Sequence, residues 1–94
     1  MIRQIVQVKN SLGLHARAAA RLVRLASRYA SDIHLSRESA MQHVDAKSIL
    51  GILMLAASVG TRLELSVSGE DEVEAGAAIV RLFESGFGEE GASQ

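Results

Sequence analysis

"TRLELSVSGED", residues 61–71, alternates Leu63, Leu65 and Val67 with Arg62, Glu64, Ser66 and Ser68, then breaks at Gly69. Period-two alternation puts every apolar side chain on one face of a strand and every polar one on the other. The sheet that contains this strand therefore has one face to bury and one to leave in water. Past the turn, Glu70, Asp71 and Glu72 are acids where a helix begins, and the macrodipole favours them there. Val73, Ala77, Val80 and Phe83 then recur at helical spacing to about Ser85.

Working back from this stretch, the chain supplies what such a sheet needs. Ile2 to Val8 mixes β-branched residues with Arg3, Gln4 and Gln7 and reads as a strand. "NSLG" (10–13) is a turn. From Ala16 to Tyr29, Ala19, Leu22, Val23 and Ala26 fall on one helical face. "DIHLS" (32–36) alternates again, and a short strand is expected near His43–Asp45. "KSILGILMLAAS" (47–58) is helical by length. The order is β-α-β-β-α-β-α. An α+β domain follows, with three helices on one face of a four-stranded, mostly antiparallel sheet. The domain spans 1–88. "GFGEEGASQ" (86–94) reads as fraying, and 89–94 as a C-terminal tail.

Composition removes several classes. With no cysteine there is no disulfide or thiolate metal site. No apolar run approaches 18 residues and the start carries no signal-peptide pattern, so membrane insertion is not expected and the cytoplasm is the default location. His15, His34 and His43 lack metal-ligand spacing, and no metal or other cofactor is expected. Charge is polarised. Residues 1–37 carry seven basic residues against Asp32 alone, while residues 38–94 carry three against ten acids. Such asymmetry suits an acidic partner or an anionic group near the N-terminal half. A β-α-β-β-α-β order also occurs in RNA-recognition modules. Those stack bases on sheet aromatics, and Tyr29, Phe83 and Phe87 all read as helix or tail, so no nucleic-acid partner is expected.

The chemistry concentrates at "GLHARAAA" (13–20). His15 stands at a helix start, where the first N–H groups have no intrahelical partner and the dipole favours an anion. Arg17 is two residues on, able to make charge-assisted bonds to the same anion. An imidazole nitrogen with a free lone pair beside a phosphate-sized nest is what a transient phosphohistidine requires. No second catalytic group and no P-loop accompany it, which indicates a stoichiometric carrier and not an enzyme. Arg17, Arg21, Arg24 and Arg28 make one helical stripe suited to steering an acidic partner. The run Ile49, Leu50, Ile52, Leu53, Met54, Leu55 is too apolar for one buried face, so part of it is expected to be exposed as an interface.

These residues resemble a known family. "GLHARAAA" is similar to the active-site signature of HPr, the histidine-containing phosphocarrier of the bacterial phosphoenolpyruvate:sugar phosphotransferase system. "VDAKSILGILML" (44–55) resembles its regulatory-serine segment, and "SGEDEVEA" (68–75) its turn into the last helix. The resemblance implies an open-faced β-sandwich. It implies that His15 takes a phosphoryl group on Nδ1 from enzyme I and passes it to an EIIA domain, with Arg17 and the backbone of Ala16 and Arg17 holding the phosphate. Ser48 matches the serine modified by HPr kinase/phosphorylase. The alternative is a regulatory binding protein controlled through Ser48. Ala20, Arg21, Arg24, Arg28, Lys47, Ile49, Leu50 and Leu53 fall where the family docks partners. Ala18 replaces the family's usual proline, and "SRESAMQH" (36–43) is slightly long. "ILML" (52–55) and "LFESGFGEE" (82–90) resemble the system's nitrogen-related branch.

Overall fold

In the computed structural model, which describes residues 1–89, the chain runs β1 (Ile2–Gln7), α1 (Ala16–Ala26), β2 (Asp32–Arg37), β3 (Val44–Asp45), α2 (Ile49–Met54), β4 (Arg62–Ser68) and α3 (Glu72–Glu84). A 3-10 turn, Gly86–Gly88, follows. The sheet order is β1-β4-β2-β3, and every pairing is antiparallel. This is the α+β arrangement the sequence predicts, with the same element order.

Strand β4 is central. Leu63 pairs with Val6 on one side and Arg37 on the other, Leu65 with Gln4 and Leu35, and Val67 with Ile2 and Ile33. Leu63, Leu65, Val67, Ile33 and Leu35 are all fully buried. All three helices cover this one face. Ala18, Ala19, Leu22 and Ala26 of α1, Ile52 of α2, and Ala75, Ile79 and Phe83 of α3 join the strand residues in one core cluster. On the opposite face Arg3 and Ile5 of β1, His34 of β2 and Glu64 and Ser66 of β4 are exposed or half-buried. The sandwich is open, as alternation without a second apolar face requires.

Three expectations are corrected. Helix α1 ends at Ala26 rather than running to Tyr29. Helix α2 stops at Met54 rather than continuing to Ser58. Leu55 and Ala56 close it with tight bonds to Ile52 and Leu53, and Ala56 turns to φ 49°. Arg37, at the end of β2, donates Nε to the Leu55 carbonyl at 3.1 Å and Nη2 to the Ala56 carbonyl at 2.9 Å. A fork from a neighbouring strand thus satisfies carbonyls that another helical turn would have used. The segment after α3 is not frayed at its start. Phe87 is fully buried, its ring 4.9 Å from Phe83 in an edge-on contact. Gly86 and Gly88 flank it at φ 65° and 68°, and Phe87 itself lies at φ 60°. The glycines turn the chain so that the aromatic ring points back into the core. Of the tail expected over 89–94, Glu89 is placed against the domain and the rest lies outside the described residues.

Asp71 ties two turns together. Its carboxylate accepts the N–H groups of Ala30 and Ser31, both at 2.9 Å, and the Ser31 hydroxyl. Gly69 passes so close to Ser31 that a Cβ there would lie 2.6 Å from its Oγ. The Ser31 hydroxyl, then the Ala30 N–H, hold the Asp71 carboxyl below its ordinary value of 3.8. A depressed carboxyl stabilises the fold above the unfolded value and loses that contribution as pH falls through the folded one. Asp71→Asn is therefore expected to lower the urea midpoint at pH 7, with the gap from the parent closing as pH falls below about 4. Equal midpoints at pH 7 would remove Asp71 from the list of stabilising contacts.

Candidate functional site

The site is assembled where three irregular segments meet the start of α1. Asn10 to Gly13 forms a turn closed by the Gly13 N–H on the Asn10 carbonyl at 3.0 Å. Gly13 adopts φ 72°, and a Cβ there would stand 2.7 Å from the Ala57 carbonyl oxygen, so only glycine fits. The next N–H, of Leu14, donates to that same Ala57 oxygen at 2.9 Å. The loop following α2 thereby supports the turn that carries His15.

His15 is the N-cap of α1, with extended backbone at φ −83° and ψ −174°. Its carbonyl accepts the first helical bond, from the Ala19 N–H at 2.8 Å. The N–H groups of Ala16, Arg17 and Ala18 lie ahead of that bond at the positive end of the helix. The Arg17 N–H donates to His15 Nδ1 at 3.3 Å, a long bond and hence a weak one. His15 Nε2 lies 3.0 Å from Glu89 Oε2. One tautomer satisfies both contacts: Nδ1 bare and accepting, Nε2 protonated and donating. Ala16 and Arg17 are exposed and His15 is half-buried. Among the described residues the Arg17 guanidinium has no hydrogen-bond or ion-pair partner. Ala18, where the resembled family carries proline, is fully buried in the first turn of the helix.

The remaining candidates divide. Arg24 is exposed on α1 and Arg28 in the turn just past its end. With Arg21, Leu25 and Leu82 they line a shallow groove. Arg21 is half-buried, and its guanidinium donates to the Phe87 carbonyl, so it holds the turn after α3. Lys47 is engaged too, its Nζ donating to the Tyr29 carbonyl at 2.8 Å. Ser48 is the N-cap of α2 and its Oγ accepts the Gly51 N–H at 3.2 Å. Asp45 caps elsewhere, accepting the Lys47 N–H. On α2, Leu50 is 71% and Met54 79% exposed, with Ile49 and Leu53 also exposed, while Ile52 is buried. The apolar surface expected of this helix is present. Ala20 is half-buried on α1.

Two residues of the site escaped the sequence reading. Asn10 is fully buried, and its Nδ2 donates to the Gly13 carbonyl at 2.8 Å and to Glu89 Oε1 at 3.0 Å. Glu89 reaches Asn10 and His15 across 79 and 74 residues of chain. A buried asparagine in a turn resembles any turn asparagine in sequence, and no local pattern announces so distant a partner.

Among the described residues no helix is long and apolar enough to cross a membrane. Comparison with known proteins agrees with the geometry. The family model for the phosphotransferase-system HPr component phosphorylation site matches residues 2–85. Phosphocarrier protein HPr of Treponema pallidum is 49% identical, the alignment covering 96% of this chain and 100% of that protein. Phosphocarrier protein NPr of Klebsiella oxytoca is 36% identical over 95% of this chain and 98% of its own. The crystal structure of HPr from Thermoanaerobacter tengcongensis superimposes with a TM-score of 0.89 at 46% identity, covering 96% of this chain and 99% of that one. A histidine at a helix start, one-sided packing and near full-length similarity lead to one conclusion: the chain belongs to the HPr family of phosphocarrier proteins.

Proposed function

We propose that this protein carries a phosphoryl group on His15 Nδ1 between a phosphorylated enzyme I and an EIIA domain, in sugar uptake or nitrogen-related regulation, in the cytoplasm. The observation that carries the reading is the bare Nδ1 at the first turn of α1, facing the N–H of Arg17. In the transfer, the Nδ1 lone pair forms the new N–P bond. The bond from phosphorus to the donor breaks, and the donor keeps that electron pair. As the lone pair is consumed, the Arg17 N–H loses its acceptor on the ring and becomes free for a phosphoryl oxygen. The Ala16 N–H and the Arg17 guanidinium supply further donors, and the helix end favours the added negative charge. The one carboxylate that meets His15 among the described residues, Glu89, is bonded to Asn10 and to Nε2, the ring nitrogen away from the phosphoryl group, so the phosphoryl group waits for a second protein.

Docking is assigned to the surface around this helix end. Arg24 and Arg28 leave a basic stripe free to steer an acidic partner, and Ile49, Leu50 and Leu53 offer apolar area beside it. Ala20 lies on the same helix. Arg21 and Lys47 contribute charge while tying down local structure. Ser48 serves as a switch where an HPr kinase/phosphorylase exists. A phosphate on its hydroxyl would set a hydrated dianion next to Ile49 and Leu50, and burying that charge opposes docking.

Incubation with phosphoenolpyruvate and cognate enzyme I, read by mass spectrometry, is expected to add one phosphoryl group to the parent and none to His15→Ala. The label should be acid-labile and base-stable. Comparable labelling of His15→Ala would overturn the carrier reading. In the same assay Ser48→Asp is expected to slow transfer with little change in melting temperature. Ser48→Ala should transfer normally and lose roughly 1 kcal/mol of stability as a cap. If Ser48→Asp matches the parent rate, Ser48 is a cap alone.

A further inference from the structure

We infer that Glu89 is a positioning residue for phosphoryl transfer at His15: its carboxylate fixes the imidazole in the Nε2–H tautomer and balances the positive charge the ring acquires. The inference rests on the carrier reading above and deepens it.

Glu89 is held as a built part of the site. Its side chain is only 9% exposed, against 32% for His15. Oε1 accepts from the buried Asn10 carboxamide and Oε2 meets His15 Nε2, so each carboxylate oxygen has its own partner. The same Asn10 nitrogen grips the Gly13 carbonyl, two residues before His15. The backbone leading to Glu89 is anchored as well. The Phe87 ring is buried, the Phe87 carbonyl accepts from Arg21, and the Glu89 N–H donates to the Gly86 carbonyl at 3.2 Å. The carboxylate is thus delivered to one edge of the imidazole by packing, while the Arg17 N–H addresses the other.

The chemistry gives this arrangement a role. A neutral imidazole exchanges its proton between two nitrogens, and only the tautomer with Nδ1 bare can attack phosphorus through that atom. A carboxylate at Nε2 selects that tautomer by accepting its N–H, as the carboxylate of a catalytic triad does for its histidine. When Nδ1 forms the N–P bond, Nε2 keeps its proton, so the ring becomes cationic and the phosphoryl group brings two negative charges. Glu89 then sits against the new positive charge, on the ring edge away from the anion. That location lets it stabilise the phosphorylated ring with little repulsion of the incoming group.

Two measurements test this on the full chain. Nitrogen-15 NMR of the imidazole reports the tautomer with no partner present. The parent should show Nδ1 as a pyridine-type and Nε2 as a pyrrole-type nitrogen. In Glu89→Ala the two resonances should move toward each other as the tautomers mix. Transfer from enzyme I should slow by about tenfold, the low end for the carboxylate partner of a histidine in metal sites. Glu89→Gln preserves length and removes charge, and should also slow transfer with the melting temperature near that of the parent. An unchanged tautomer in Glu89→Ala, or an unchanged transfer rate in both variants, would overturn the assignment. A parent that enzyme I does not phosphorylate at all would instead strike at the carrier reading, since the tautomer measurement stands independently of it.

Discussion

Strand β4 is bonded along both edges, to β1 and β2, and has apolar side chains on one face only. That constraint organises the molecule. With one face to cover, all three helices must lie on the same side, and each contributes small or aliphatic residues to the common cluster. Ala18, Ala19 and Ala26 let α1 sit close, all three being fully buried. Close packing of that helix fixes the position and direction of its N-terminus, and with it His15, the cap proposed above as the phosphoryl acceptor.

The irregular segments then complete what the regular elements begin. The Asn10–Gly13 turn, the loop through Ala57 and the segment through Glu89 each bond to the others or to the His15 turn. Gly13 is pressed against backbone, Asn10 is buried with Nδ2 donating twice, and Glu89 is almost covered. These contacts hold a half-exposed imidazole in one orientation on a small scaffold. A histidine free to rotate would present either nitrogen. This one is bonded at both, weakly at Nδ1 and more closely at Nε2. Such asymmetry suits a carrier, which must load and unload the same atom without rebuilding its site.

Much of this was legible in the chain. Leu63, Leu65 and Val67 announce the one-sided sheet, and the step from Gly13 through His15 to Arg17 announces a turn into a helix start with His15 at its end. Local pattern was less able to set limits. Leu53 to Ala57 contains no helix breaker, and α2 ends there because Arg37 reaches over from β2 to take its carbonyls. "GFG" looks like loose chain, yet its glycines supply the positive φ that turns Phe87 inward. Arg21 matches its neighbours in the stripe by spacing and differs by contact, because the Phe87 carbonyl happens to be within reach. In each case the deciding partner is distant in sequence, and periodicity carries no information about it.

The central claim is that the bonding at His15 leaves Nδ1, and not Nε2, as the reacting atom. Phosphorus–nitrogen correlation NMR of the phosphorylated, nitrogen-15-labelled protein reads this directly, since the phosphorus couples to the ring nitrogen that bears it. The account predicts a single phosphohistidine signal coupled to Nδ1 of His15, with Nε2 still protonated. A phosphoryl group on Nε2, the nitrogen held by Glu89, would contradict it.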